Sequence, residues 1–133
     1  MNVTFADTSG LLALLNGEDE NHARAERAFA ALRARQASLL STSFVLVETY
    51  ALVGRRLGLE AVRSVRADFA PLIDVIWVDE ALHEAGLDLW LERRRRRLSL
   101  VDAVSFVAMR QRGVAEAFAF DPDFEHEGFS LVG

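Results

Sequence analysis

The 133-residue chain has no cysteine and no lysine, one tyrosine and only two prolines. Without cysteine there is no disulfide, no thiolate-bound zinc, no iron–sulfur cluster and no thiol nucleophile. Without lysine there is no P-loop lysine, no Schiff-base lysine and no lysine of the kind a phospho-acceptor receiver domain needs. All fifteen bases are arginine, which GC-rich coding explains without any function. No apolar run approaches the ~18 residues of a membrane span. The start, Met1-Asn2-Val3-Thr4, lacks the basic n-region of a signal peptide. The reading is a protein of the reducing cytoplasm with no membrane partner. Few prolines and no linker-like stretch predict one domain over 1–133.

What is present is globular in composition, 51% hydrophobic and 26% charged, and a chain of this length buries enough surface for a core. Twenty acids against fifteen arginines give a net charge of −5. That sign argues against a nucleic-acid partner, whose usual footprint is basic.

Val3 to Ala6 reads as a first strand, with a helix from Asp7-Thr8-Ser9 to Asn16-Gly17. A second helix covers about Glu20 to Gln36, and Ser38 to Ser41 is a second strand. Ser43 is placed to cap a helix from Phe44 to Leu57, closed by Gly58. A further helix spans about Glu60 to Phe69 and stops at Pro71. Asp74 to Val78 is a β-branched run and reads as a strand. A long helix then runs from Glu80 into Arg93 to Arg97, and Ser99 opens another reaching Gly113. Ala117 to Phe120 and Phe129 to Val132 complete the strands. Alternating strands and helices predict an α/β three-layer sandwich with a mostly parallel four- or five-stranded central sheet. Ligands of such sheets sit at the carboxyl ends of the strands.

Acids cluster at those ends. Asp7 follows the first strand, and Asp121 and Asp123 follow the fourth. Asp102 opens a late helix, and Glu48 lies one turn into the helix after the second strand. Singly, each has a structural explanation. Asp7 fits a helix N-cap, Ser99-Leu100-Val101-Asp102 resembles a capping box, and Asp121-Pro122-Asp123 is ordinary turn chemistry. Glu48 is different, because Phe44, Val45, Ala51 and Leu52 share its face and Leu46, Val47, Tyr50 and Val53 fill the other. A helix buried all round is expected there, and an ionised carboxylate inside it needs a compensating cation. Converging carboxylates become favourable around Mg²⁺ or Mn²⁺, which prefer oxygen ligands.

The strand ending in Asp7-Thr8-Ser9, Val47-Glu48, Leu98-Ser99-Leu100-Val101-Asp102-Ala103 and Ala119-Phe120-Asp121-Pro122-Asp123-Phe124, in that order, resemble the PIN-domain superfamily and, within it, the VapC toxins. The resemblance spans essentially the whole chain. It implies a PIN-like fold and a Mg²⁺-dependent endoribonuclease that cleaves by a metal-activated water, leaving a 5′-phosphate. It also implies a homodimer, an RNA substrate and a small neutralising antitoxin protein. Position by position, Asp7, Glu48, Asp102 and Asp121 match the family's catalytic acids. Asp7, Asp102 and Asp121, with Asp123 as an outer acid, match its metal-binding group. Thr8 and Ser9 match the supporting hydroxyls, and Ala119 departs from a hydroxyl many relatives carry. Alternatives are a catalytically silent PIN-like module that binds RNA or protein, and a processing or DNA-directed nuclease of the same fold.

Arg93 to Arg97 read as a solvated helix end, where arginines favour the dipole, or with Arg110 and Arg112 as contacts to an RNA backbone. His22, His83 and His126 read as surface residues. Trp77, in a strand, and Trp90 read as core or dimer contacts. The face carrying Leu82, Leu87 and Leu91 is a candidate dimer surface or part of the core.

Overall fold

The computed structural model describes residues 2–132. Five short strands form one sheet: β1 (Val3–Ala6), β2 (Ser38–Thr42), β3 (Ile73–Ile76), β4 (Glu116–Phe118) and β5 (Ser130–Val132). Their order is β3-β2-β1-β4-β5 and every pairing is parallel. Parallel neighbours cannot be joined by tight turns, so each connection crosses over, here with helices. These are α1 (Thr8–Leu15), α2 (His22–Ala34), α3 (Ser43–Leu57), α4 (Leu59–Ser64), α5 (Glu80–Arg93), α6 (Leu100–Arg112) and α7 (Asp123–His126). The expected parallel α/β sandwich is therefore present, with five strands.

From β1 the chain builds outward through β2 and β3, then returns to place β4 on the other side of β1. The order reverses between β1 and β4, and a crevice opens at such a switch point beyond the strand ends. The core beneath it is aromatic. Phe5, Phe106, Phe118 and Phe124 are fully buried, and Phe106 meets Phe124 edge-to-face at 4.9 Å between ring centroids. Gly10 fixes how closely α1 sits on β4. A Cβ there would lie 2.3 Å from the Phe118 carbonyl oxygen.

Several expectations change. The helix α3 is not buried all round. Val45, Thr49 and Val53 are its buried residues, whereas Val47 is 67% exposed. It lies in an outer layer with one face inward, so an apolar composition on both faces overstates its burial. Thr42, not Ser43, caps it by accepting from the Val45 N–H at 3.2 Å, and the Ser43 hydroxyl accepts from the Val78 N–H at 2.9 Å. The helix expected to Phe69 ends earlier. It widens into a π-helical turn over Val65–Phe69, and Pro71 opens a 3₁₀ turn, Ala70–Leu72, where its missing N–H costs nothing.

The third strand stops at Ile76, leaving Trp77 beyond it and 75% exposed, not in the core. The fourth stops at Phe118, so Phe120 follows the strand. The long helix α5 stops at Arg93. Arg94 turns left-handed (φ 55°, ψ 32°), so most of the arginine run is loop. Trp90 explains the stop: its Nε1–H donates to the Leu98 carbonyl at 2.6 Å, folding the loop back so that Leu98 is buried. No helix among the described residues is long and apolar enough to cross a membrane.

Candidate active site

Asp7 leaves β1 at the switch point. Its backbone N–H continues the ladder to the Phe118 carbonyl of β4 at 3.1 Å. Its Oδ2 caps α1, accepting from the Ser9 N–H at 3.1 Å and the Ser9 hydroxyl at 2.6 Å. That hydroxyl in turn accepts from the Phe120 N–H at 3.0 Å. Ser9 thus ties the acid after β1 to the segment after β4. Thr8 is buried and its hydroxyl meets that of Thr49 at 3.5 Å, linking α1 to α3.

The N-cap role does not exhaust Asp7. The residue is only 3% exposed, and burial pushes its carboxyl up to about 7, against the lowering effect of the Ser9 hydrogen bond. The charges of Asp102 and Asp121 push it further the same way. A cap residue at a solvated helix end has no such neighbours.

Asp102 does form the capping box. Its Oδ2 accepts from the Ser99 N–H at 3.0 Å, and the Ser99 hydroxyl accepts from the Asp102 N–H at 3.1 Å. Burial still raises its pKa, opposed by the Ser99 bonds and reinforced by Asp121 and Glu48. Asp121 is raised by burial and lowered by Arg95 and His126. Its Oδ1 accepts from the Asp123 N–H at 2.9 Å, the turn expected at Asp-Pro-Asp. Carboxylate oxygens of Asp102, Asp121 and Asp123 lie within 4.8 Å of one another. Asp7 and Glu48 flank this triad: Asp7 feels the charges of Asp102 and Asp121, and Asp102 feels that of Glu48. Asp123 is also ion-paired with Arg95.

The donor set is all carboxylate oxygen, partly buried and mutually repelling, and among the described residues Arg95 makes an ion pair with only one of its members. That chemistry fits a hard divalent cation. The profile of the PIN domain family matches residues 4–129. The chain belongs to the PIN-domain family. This PIN domain is 35% identical over 129 residues to the 23S rRNA-specific endonuclease VapC20 of Mycobacterium tuberculosis, covering 96% of each chain. The crystal structure of VapC20, described as a sarcin–ricin-loop-cleaving toxin, superposes with a TM-score of 0.82 over 96% of this chain and 95% of that one. FitAcB from Neisseria gonorrhoeae shares the fold at 12% identity, with a TM-score of 0.71 over 98% and 96%.

Other neighbours of the PIN-domain acids were not placed there by sequence reasoning. An open cavity of about 600 Å³ is lined by Arg95, Arg96, Arg97, Asp121, Asp123 and His126. His126 had no signal beyond its distance of five residues from Asp121. The arginines were visible as a run, but only the fold of the α5–α6 loop brings them beside the acids.

Proposed function

We propose that this PIN domain is a divalent-metal-dependent endoribonuclease and the toxin of a toxin–antitoxin pair. The observation that carries the reading is the triad of Asp102, Asp121 and Asp123, whose carboxylate oxygens lie within 4.8 Å of one another, with the buried Asp7 at the β1/β4 switch point beside it. The 35% identity to an endonuclease specific for 23S rRNA supports RNA as the substrate, with that RNA the first to try.

Asp102, Asp121 and Asp123, with Asp7 beside them, would hold Mg²⁺, or Mn²⁺ in its place. When bound, such an ion polarises a phosphoryl oxygen and lowers the pKa of a water. The chain's own residues do the rest. Ser9 fixes the Asp7 carboxylate through two hydrogen bonds, and Ser99 fixes Asp102. Each acid therefore reaches the ion with its rotamer already set, which limits the ordering cost at binding. A free carboxylate oxygen of Glu48 or Asp121 accepts the proton of the attacking water, and Thr8 braces α1 against α3.

Asp7→Asn or Asp102→Asn should abolish Mg²⁺-dependent cleavage of labelled RNA while the circular dichroism spectrum is kept. Cleavage at the native rate by either variant would overturn the assignment, and cleavage of DNA alone would favour a DNA-directed nuclease. The rest of the proposal is that residues 1–133 act as one domain, in the cytoplasm, as a homodimer neutralised by a small antitoxin protein. The exposed side chains of Val47, Trp77 and Leu91 supply apolar surface for such contacts. Light scattering at twice the mass of one chain would support the dimer.

A further inference from the structure

The arginines from Arg93 to Arg97 divide into two sets. Arg93 donates from Nε and Nη2 to Glu127 at 2.9 and 3.1 Å, and Arg95 pairs with Asp123. These two turn toward the protein body and have carboxylate partners. Arg94, Arg96 and Arg97 are exposed and form no ion pair among the described residues. Arg94 adopts φ 55°, a left-handed conformation that favours glycine. The loop is nevertheless fastened. Arg110 donates to the Glu127 carboxylate and carbonyl at 2.9 Å each, so Glu127 ties α6 and the end of α5 together.

Two of these unpaired cations, Arg96 and Arg97, line the cavity that holds Asp121 and Asp123. Arg95, Arg96 and Arg97 line the 600 Å³ cavity together with Asp121, Asp123 and His126. A second cavity of about 340 Å³, lined by Trp90, Leu91 and Arg94, shares Arg95 and Arg96 with the first. One surface therefore leads from the acid cluster across the arginine loop to the exposed face of Leu91. A carboxylate cluster repels a nucleic-acid strand, and cations beside it must offset that repulsion. The guanidinium fork suits the task, since its geometry matches phosphate oxygens bidentately.

We propose that Arg96 and Arg97 are substrate-binding residues that grip backbone phosphates of an RNA strand as it leaves the acid cluster, the two cavities forming its track. This rests on the endoribonuclease reading above. Arg93 and Arg95, held by Glu127 and Asp123, are the struts of the grip.

Binding of a labelled single-stranded RNA is measured against salt in the Asp7→Asn background, where the RNA stays intact. The Arg96→Gln/Arg97→Gln pair is expected to weaken binding at low salt. It should also make the slope of log affinity against log salt shallower by about 1.4, about 0.7 for each single-strand phosphate that is no longer neutralised. An Arg55→Gln/Arg56→Gln pair in the last turn of α3 should change neither. In the cleaving protein the Arg96→Gln/Arg97→Gln pair should raise KM and leave kcat alone, the signature of a weakened uniform binding. An unchanged salt slope together with tighter Mn²⁺ binding overturns the grip and assigns the arginines to offsetting the acids. Normal RNA binding and cleavage by the double variant overturns the grip and leaves the nuclease reading standing. Native protein that neither binds nor cuts RNA overturns both.

Discussion

Two carboxylates of this chain are displaced in opposite directions, and the contrast separates function from stability. The Asp7 carboxyl is pushed by burial from 3.8 to about 7. Its folded pKa lies above its unfolded one, so its contribution to stability is full below pH 3.8 and is lost as pH rises through 7. Without a cation the loss comes to about 4 kcal/mol, at 1.36 kcal/mol per unit. Asparagine caps a helix as well as aspartate, so Asp7→Asn should stabilise the metal-free protein above pH 7. Urea melts in EDTA at pH 5 and 8 should show the gap between variant and native protein widening with pH. Parallel curves would mean that the carboxyl is not desolvated. Glu127 is the reverse case. Hydrogen bonds from Arg93, and then Arg110, hold its carboxylate down at about 2, and its side chain is only 4% exposed. Its stabilisation is present above pH 4.5 and is lost as pH falls toward 2. A displacement of that size corresponds to about 3 kcal/mol. Glu127→Gln should therefore lower stability by roughly that amount at pH 7, and urea melts should show the difference closing by pH 2.

At the level of elements, the strands and most helices were legible because their signals are local: β-branched runs, the Ser99–Asp102 capping box, and Gly58 and Gly113 after helices. Asp7, Asp102, Asp121 and Asp123 were legible too, since each follows a strand or opens a helix, whereas Glu48 lies inside α3 and was singled out on an all-round burial that the fold does not give. What was not legible depends on layers and loops. The periodicity of α3 is apolar on both faces, and nothing local shows that Val47 faces outward. Arginine is a good helix former, so the run reads as a continuation of α5. A tertiary bond from Trp90 to Leu98 ends it instead. The seating of α1 rests on one close approach. A Cβ on Gly10 would press on the Phe118 carbonyl at 2.3 Å, backbone against backbone, so the helix must shift. Gly86 packs as closely, with its Cβ position 2.4 Å from Cγ2 of Val104, but between α5 and α6. Overpacking of this kind costs typically about 1–3 kcal/mol. Gly10→Ala should lower both the melting temperature and the cleavage rate, because α1 carries Ser9 and its cap Asp7. Gly86→Ala should lower the melting temperature with less effect on rate at a temperature where both fold. Equal losses of rate would show that Gly10 does not position the site.

For the whole molecule, the net charge of −5 points away from a polyanion until its distribution is considered. Asp7, Glu48, Asp102, Asp121 and Asp123 are five of the twenty acids, and setting them aside leaves fifteen against fifteen arginines. The excess is thus gathered at one edge of the sheet, where the strand order puts it. Like charges brought together on folding repel one another, and an unfolded chain separates them. The folded state alone therefore offers a divalent cation this group of carboxylates, and the ion should stabilise the fold by mass action. At a hundred times its dissociation constant the gain is about 2.7 kcal/mol. For a chain of this size that amounts to a rise of roughly 10 °C in Tm, at about 4 °C per kcal/mol. Differential scanning fluorimetry in EDTA and then in rising Mg²⁺ or Mn²⁺ should show that rise in the native protein. NaCl at matched ionic strength should reproduce little of it, because screening weakens the repulsion without binding. The Asp102→Asn variant removes one acid and with it part of the repulsion, so it should begin at a higher Tm in EDTA and gain less from the ion. A native Tm indifferent to both cations would mean that the acids do not form a metal site, and the metal-dependent reading of the edge would fall with it.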